Sequence, residues 1–197
     1  MEFDSTYKMS LPGGQSIDYG ILHGSERITF IKSGRGGTHR GDDDKYIKMA
    51  HRIRCKQGNT VICASNPMEC ALSYDADQAV IEKYAANRGF ADFTVLLIGS
   101  SNGAYQNLFL AAKLPQTQKI LCINMPLMIN YHKITRQLQA MVAIEKVFVY
   151  GTKDPSHAYS PMLEMKKYAM CRIICVNGAD HTFKDRIDEF IALADLI

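Results

Sequence analysis

Residues 94–113 read TVLLIGSSNGAYQNLFLAAK. The apolar run Phe93–Ile98 has the look of a buried strand, and Asn102–Ala112 continues as an amphipathic helix. Between them stands Gly99-Ser100-Ser101-Asn102-Gly103. A strand-to-helix turn usually manages with one glycine or one capping side chain. Glycines on both sides of a serine imply a turn so sharp that side chains at those positions would clash. The pattern is G-x-S-x-G with Ser101 at its centre, and such a turn lifts the serine hydroxyl above the strand ends. The N–H of Asn102 then falls at the start of a helix, where it can stabilise an oxyanion. Capping the helix is the simpler use of Ser101. The residues elsewhere in the chain choose between the two.

Working outward, short β-rich runs alternate with helix-length segments. Strands are predicted at Ile28–Ile31, Thr60–Ala64, Lys119–Ile123, Val147–Tyr150 and Arg172–Val176. Helices are predicted at Asp44–Lys56, Asp75–Asn87, Ala158–Tyr168 and Phe183–Leu196. Most of the strands are continuously apolar, as strands covered on both faces are. Strand and helix in repeated alternation give an α/β fold of three layers, a mostly parallel central sheet with helices on both faces. The earlier Ser16–His23, after the turn residues Pro12-Gly13-Gly14, is expected to add an antiparallel edge strand or hairpin. No internal repeat or linker-like stretch divides residues 1–197, so one domain is expected.

The 197 residues carry 23 Lys and Arg against 20 Asp and Glu, a net charge of +3. The basic residues are scattered among acids, which argues against a nucleic-acid partner. The start MEFDSTYKMS lacks the basic and apolar parts of a signal peptide, and no apolar run reaches the ~20 residues of a membrane span. A soluble, cytoplasmic protein without a membrane partner is expected. Cys55, Cys63, Cys70, Cys122, Cys171 and Cys175 form no C-x-x-C pair, and in a reducing cytosol they read as free thiols.

A serine nucleophile needs a base, and the base an orienting acid. In this topology they follow the serine in the order acid, then histidine. The strand Val147–Tyr150 runs into Gly151-Thr152-Lys153-Asp154-Pro155, and Arg172–Val176 runs into Asn177-Gly178-Ala179-Asp180-His181. Asp154 and His181 thus follow strand ends on the rim that carries Ser101. His157 opens a helix, His51 and His132 read as surface or loop residues, and His23 belongs to the N-terminal strand. Asp180 reads as a turn residue. The run Asp42-Asp43-Asp44 reads as a solvated helix start, and no metal site is expected.

With G-S-S-N-G, YGTKDP and GADHTF in place, the chain from about Ile28 onward resembles the α/β-hydrolase family, in the form of a small serine hydrolase without a large cap domain. The resemblance implies Ser101 as nucleophile, His181 as general base and then acid, and Asp154 as the orienting carboxylate. It implies no cofactor. The family also has a glycine-containing loop, commonly opening His-Gly, that supplies a second oxyanion N–H. Here that loop is Ser33-Gly34-Arg35-Gly36-Gly37, with serine in place of histidine. The backbone N–H of Arg35 is the expected donor, with Gly34 and Gly36 on either side. Its guanidinium stands free either to clamp an anionic substrate group or to pair with Asp42, Asp43 or Asp44.

About two dozen residues separate the strand ending near Asn124 from the one beginning near Val147, too few for a cap domain. Met125, Leu127, Met128, Ile129 and Met141 in this segment either line an acyl pocket or pack a short crossover helix. His39, in the entrance loop, is a further substrate contact to test. A small-molecule acyl ester is the expected substrate, with thioester and amide left open. The same residues would serve acyl transfer, and the fold alone would serve a binding module with an idle triad. The oligomeric state is not legible from the sequence.

Overall fold

A computed structural model describes residues 1–68, 73–128 and 130–197; Cys70 and Ile129 lie outside the described residues. Eight strands form one sheet: β1 (Ser5–Ser10), β2 (Ser16–Leu22), β3 (Ser25–Lys32), β4 (Asn59–Ala64), β5 (Thr94–Ser100), β6 (Thr117–Ile123), β7 (Glu145–Gly151) and β8 (Cys171–Val176). Their spatial order is β1-β2-β4-β3-β5-β6-β7-β8. β1 pairs antiparallel with β2, and β2 antiparallel with β4. Every pairing from β4 across to β8 is parallel.

The helices are α1 (Lys45–Gln57), α2 (Tyr74–Asn87), α3 (Asn102–Lys113), α4 (Tyr131–Ala140), α5 (Pro161–Met165) and α6 (Ile187–Ala192). Successive strand side chains point to opposite faces, so each central strand feeds two cores. Ile28, Phe30, Leu97, Ile120, Cys122, Phe148 and Tyr150 pack with Val80 and Ile81 of α2 and Leu108 of α3. Ile31, Ile98, Leu121, Ile123, Val147 and Val149 pack with Tyr46, Met49 and Ile53 of α1 and Phe190 of α6. Both faces being covered is why these strands show no polar alternation.

Of the edge strand and the hairpin expected at Ser16–His23, the hairpin forms: β2 is its inner arm, inside the sheet, and β1, the other arm, is the border strand. β1 escaped notice because STYKMS is largely exposed and polar. The helix expected over Ala158–Tyr168 breaks into a 3-10 turn (Pro155–Tyr159) and the short α5, since Pro161 cannot donate to a continuing helix. The helix expected from Phe183 starts only at Ile187, because Phe183 and Asp185 have φ of 58° and 59°, outside the helical region. A 3-10 turn, Leu193–Leu196, ends it.

Candidate active site

The turn after β5 is as tight as its glycines imply. Ser101 has φ 54° and ψ −124°, a costly conformation for a residue with a side chain, of the kind that concentrates at functional sites. A Cβ at Gly99 would stand 2.4 Å from the Ala104 backbone, and one at Gly103 would stand 2.3 Å from the Ser33 carbonyl oxygen. No side chain fits at either place. The glycines let α3 descend against β5 and the loop after β3, which leaves Ser101 raised at the sheet rim.

Oγ of Ser101 lies 2.9 Å from Nε2 of His181. On the other side of the ring, Nδ1 meets Oδ2 of Asp154. A carboxylate only accepts, so Nδ1 carries the proton towards Asp154 and Nε2 is left to accept from the serine hydroxyl. The Asp154 side chain is fully buried, whereas that of His181 is 44% exposed. The carboxylate is thus held inside the protein and the imidazole faces the cleft. Asp154 also accepts at Oδ1 from the Ser156 N–H, at 2.7 Å, which fixes the carboxylate plane.

The loop Ser33-Gly34-Arg35-Gly36-Gly37 passes directly over the serine. A Cβ at Gly34 would lie 3.3 Å from Cβ of Ser101. The loop closes on itself through Gly37 N–H to Gly34 O at 2.9 Å and Ser33 Oγ–H to Gly37 O at 3.0 Å. The N–H groups of Arg35 and Asn102 have no hydrogen-bond partner among the described residues. Two unpaired donors beside the Ser101 hydroxyl have the character that an oxyanion-binding site would need. The Arg35 guanidinium pairs with none of the three aspartates; its Nε donates to the Met68 carbonyl at 2.7 Å. Asp44 instead binds Arg40 at 2.8 Å.

A cleft of about 190 Å³ opens beside the serine, lined by Arg35, Lys45, Tyr46, Ser100, Ser101 and His181 among others. His39 is not among its lining residues and packs against the Phe3 ring at 5.4 Å; burial lowers its pKa. Met125 is wholly buried in the core beneath α4, while Met128 is 60% exposed. Neither lines the cleft. The expected apolar acyl pocket is therefore not built from these two methionines, because one packs into the core and the other is turned out to the surface. Asp180 closes its own turn, accepting from the N–H groups of Thr182 and Lys184 at 3.0 and 2.9 Å.

Two asparagines that the sequence reading passed over tie the rim together. Asn66, buried after β4, donates from Nδ2 to the Ser33 carbonyl and to Oδ1 of Asn102, both at 3.1 Å. Its backbone accepts from Gly36 and donates to Gly37. Asn124, buried after β6 with φ 47°, donates from Nδ2 to the carbonyls of Asp180 and His181, each at 3.0 Å. Its Oδ1 accepts from Gly151 N–H at 2.9 Å. The available signal was positional: each asparagine follows the carboxyl end of a parallel strand, as Ser101, Asp154 and His181 do, and such ends are where ligands bind.

Solved structures match the fold over nearly the whole chain. A protein of unknown function from Agrobacterium tumefaciens, named as a candidate α/β hydrolase, superposes with a TM-score of 0.76 at 14% identity, covering 98% of this chain and 94% of that one. The fold is that of the α/β hydrolases. The esterase domain of a Rhodothermus marinus protein matches at TM-score 0.70 and 12% identity, over 98% and 95% of the two chains. An α/β serine hydrolase without a lid, from Xanthomonas campestris, matches at TM-score 0.69 and 20% identity, over 98% and 92%. No protein-family model and no curated protein sequence matches the chain. Among the described residues, no helix of this α/β-hydrolase fold is long and apolar enough to cross a membrane.

Proposed function

We propose that the chain is a serine hydrolase that cleaves small or medium acyl esters through an acyl-enzyme. One observation carries the reading: Ser101, on its strained turn, is hydrogen-bonded to His181, which is hydrogen-bonded to the buried Asp154. In this mechanism Nε2 of His181 takes the hydroxyl proton as Oγ of Ser101 attacks the ester carbonyl. The tetrahedral oxyanion sits between the N–H groups of Asn102 and Arg35. His181 then returns its proton to the departing alcohol, leaving the acyl group on Ser101. A water, deprotonated by His181, attacks the acyl-enzyme and releases the acid. Asp154 holds the ring in the tautomer that each step needs and stabilises the imidazolium.

The segment between β6 and β7 holds one short helix, α4, and supports an open cleft. Short and medium acyl chains should turn over better than long ones, without a rate jump above the critical micelle concentration. The decisive experiment is a panel of p-nitrophenyl esters of increasing chain length with wild type, Ser101→Ala and His181→Ala. Wild type should be active and indifferent to chelators. Each variant should lose nearly all turnover, since members of such a unit act together. Full activity in folded Ser101→Ala sinks the proposal.

A further inference from the structure

The cleft beside Ser101 contains a cation that sequence reasoning had not singled out. Lys45 is the first residue of α1, and its side chain is only 7% exposed. Lysine is almost never buried to that degree without a partner. Here the nearest carboxylate oxygen, on Asp42, is 3.7 Å away, and the Asp42 side chain is 88% exposed. Nζ has three donors to satisfy, yet it makes no hydrogen bond among the described residues. What surrounds it instead is aromatic: the ring centres of Tyr46 and Phe190 lie 5.5 and 5.3 Å from Nζ.

Its place in the helix adds a second conflict. The amino end of a helix carries partial positive charge and favours anions over cations. No acidic residue occupies the first turn of α1 itself; the acidic turn before it holds Asp44, which is bound to Arg40, and Asp42, which lines the same cleft and forms the long ion pair with Lys45. A buried ammonium at the positive end of a helix, held by a long ion pair to an exposed carboxylate, is disfavoured by local physics. Such violations are expected where function requires them. The ammonium favours an anion in the cleft, where an incoming carboxylate would take the place of the weakly held Asp42 beside it.

We propose that the substrate ester carries a carboxylate on a short arm, and that Lys45 binds it while the ester carbonyl lies at Ser101. The proposal rests on the hydrolase reading above and names its substrate class. A single point charge in a cleft of about 190 Å³, smaller than the roughly 300–1,000 Å³ that encloses drug-sized ligands, suits a carboxylate on a few carbons. Arg35, exposed at the same cleft with its Nε engaged by Met68, adds positive potential at the mouth.

The test compares two p-nitrophenyl esters of similar size, pentanoyl and 4-carboxybutanoyl, in wild type, Lys45→Met and Lys45→Arg. Wild type should have the higher kcat/KM on the carboxylate ester. Lys45→Met should lower the anionic-to-neutral ratio of kcat/KM by at least about tenfold, and Lys45→Arg should restore part of it. An unchanged ratio in folded Lys45→Met overturns the proposal; if that variant does not fold, Lys45→Gln carries the same comparison. Binding of glutarate to Ser101→Ala, with and without Lys45→Met, supplies an arm that needs no turnover. Loss of binding by about tenfold or more with Lys45→Met supports the anion site, and equal or undetectable binding in both overturns it. Failure of wild type to cleave either ester would remove the hydrolase reading, and the glutarate comparison would still decide the site.

Discussion

The side-chain amide of Asn66 donates to Oδ1 of Asn102 at 3.1 Å, so the loop after β4 is anchored to the residue that follows Ser101. The same amide holds the Ser33 carbonyl, and Gln106 donates to both asparagine oxygens, at 3.0 and 2.8 Å. One buried side chain thereby ties together the two loops that carry the proposed oxyanion donors. Asn66→Leu should lower kcat by about 10- to 100-fold with little change in KM, less than the roughly 10²–10³ lost when a donor itself is removed. Steady-state kinetics on a short ester separate the two constants. A rise in KM at constant kcat would show that Asn66 merely shapes the binding surface.

Asp154→Asn tests orientation apart from attack. The amide can fill the space of the carboxylate, but it can present a donor to Nδ1 and so favour the wrong tautomer of His181. A loss of about 10³–10⁴ in kcat is expected, by analogy with the serine-protease triad. The fold should survive, because the substitution conserves volume. Activity within tenfold of wild type would leave Asp154 with no role beyond capping the Pro155–Tyr159 turn.

Proton uptake gives an independent check. The proposed base works only as neutral imidazole, since a protonated ring cannot accept from Ser101. Activity should therefore fall on acidification through a single protonation, followed from about pH 8 down to 5. Measuring kcat/KM across this range on a neutral ester, with stability followed in parallel, checks it. A flat profile would exclude a histidine base.

Thiol chemistry should divide along the fold. Cys63 and Cys122 are fully buried in the two cores, and burial pushes their thiols well above the ordinary range. Cys55 and Cys175 are exposed. Iodoacetamide at neutral pH should label Cys55 and Cys175 in the native protein and reach Cys63 and Cys122 only on unfolding, as read by peptide mass mapping. Rapid native labelling of Cys63 would mean that α1 opens from the sheet.

The sequence was most legible where geometry is demanding. Gly99 and Gly103 announce the turn because no other residue survives there, and Asp154 and His181 follow strand ends in an order set by topology. Legibility fails where a role depends on contacts between distant segments. Asn66 and Asn124 carry only the positional mark of following a strand end, since the partners that give them their role come from other strand ends. Lys45 looks like an ordinary surface lysine until α1 is packed against the sheet. Met125 and Met128 could not be sorted because an apolar run does not say which way its chain turns. The late start of α6 depends on two non-glycine residues with positive φ, Phe183 and Asp185, for which sequence offers no warning.

β8 borders the sheet and pairs only with β7, and none of its residues is fully shielded. His181 hangs from the end of that strand, whereas Ser101 rises from β5 in the interior. Border strands fray at lower free energy than central ones. Warming should therefore detach the base from its serine while the rest of the molecule is still folded, so that inactivation runs ahead of melting and is reversed by cooling. The margin of the sheet, more than its interior, would then set the temperature range over which the protein can work.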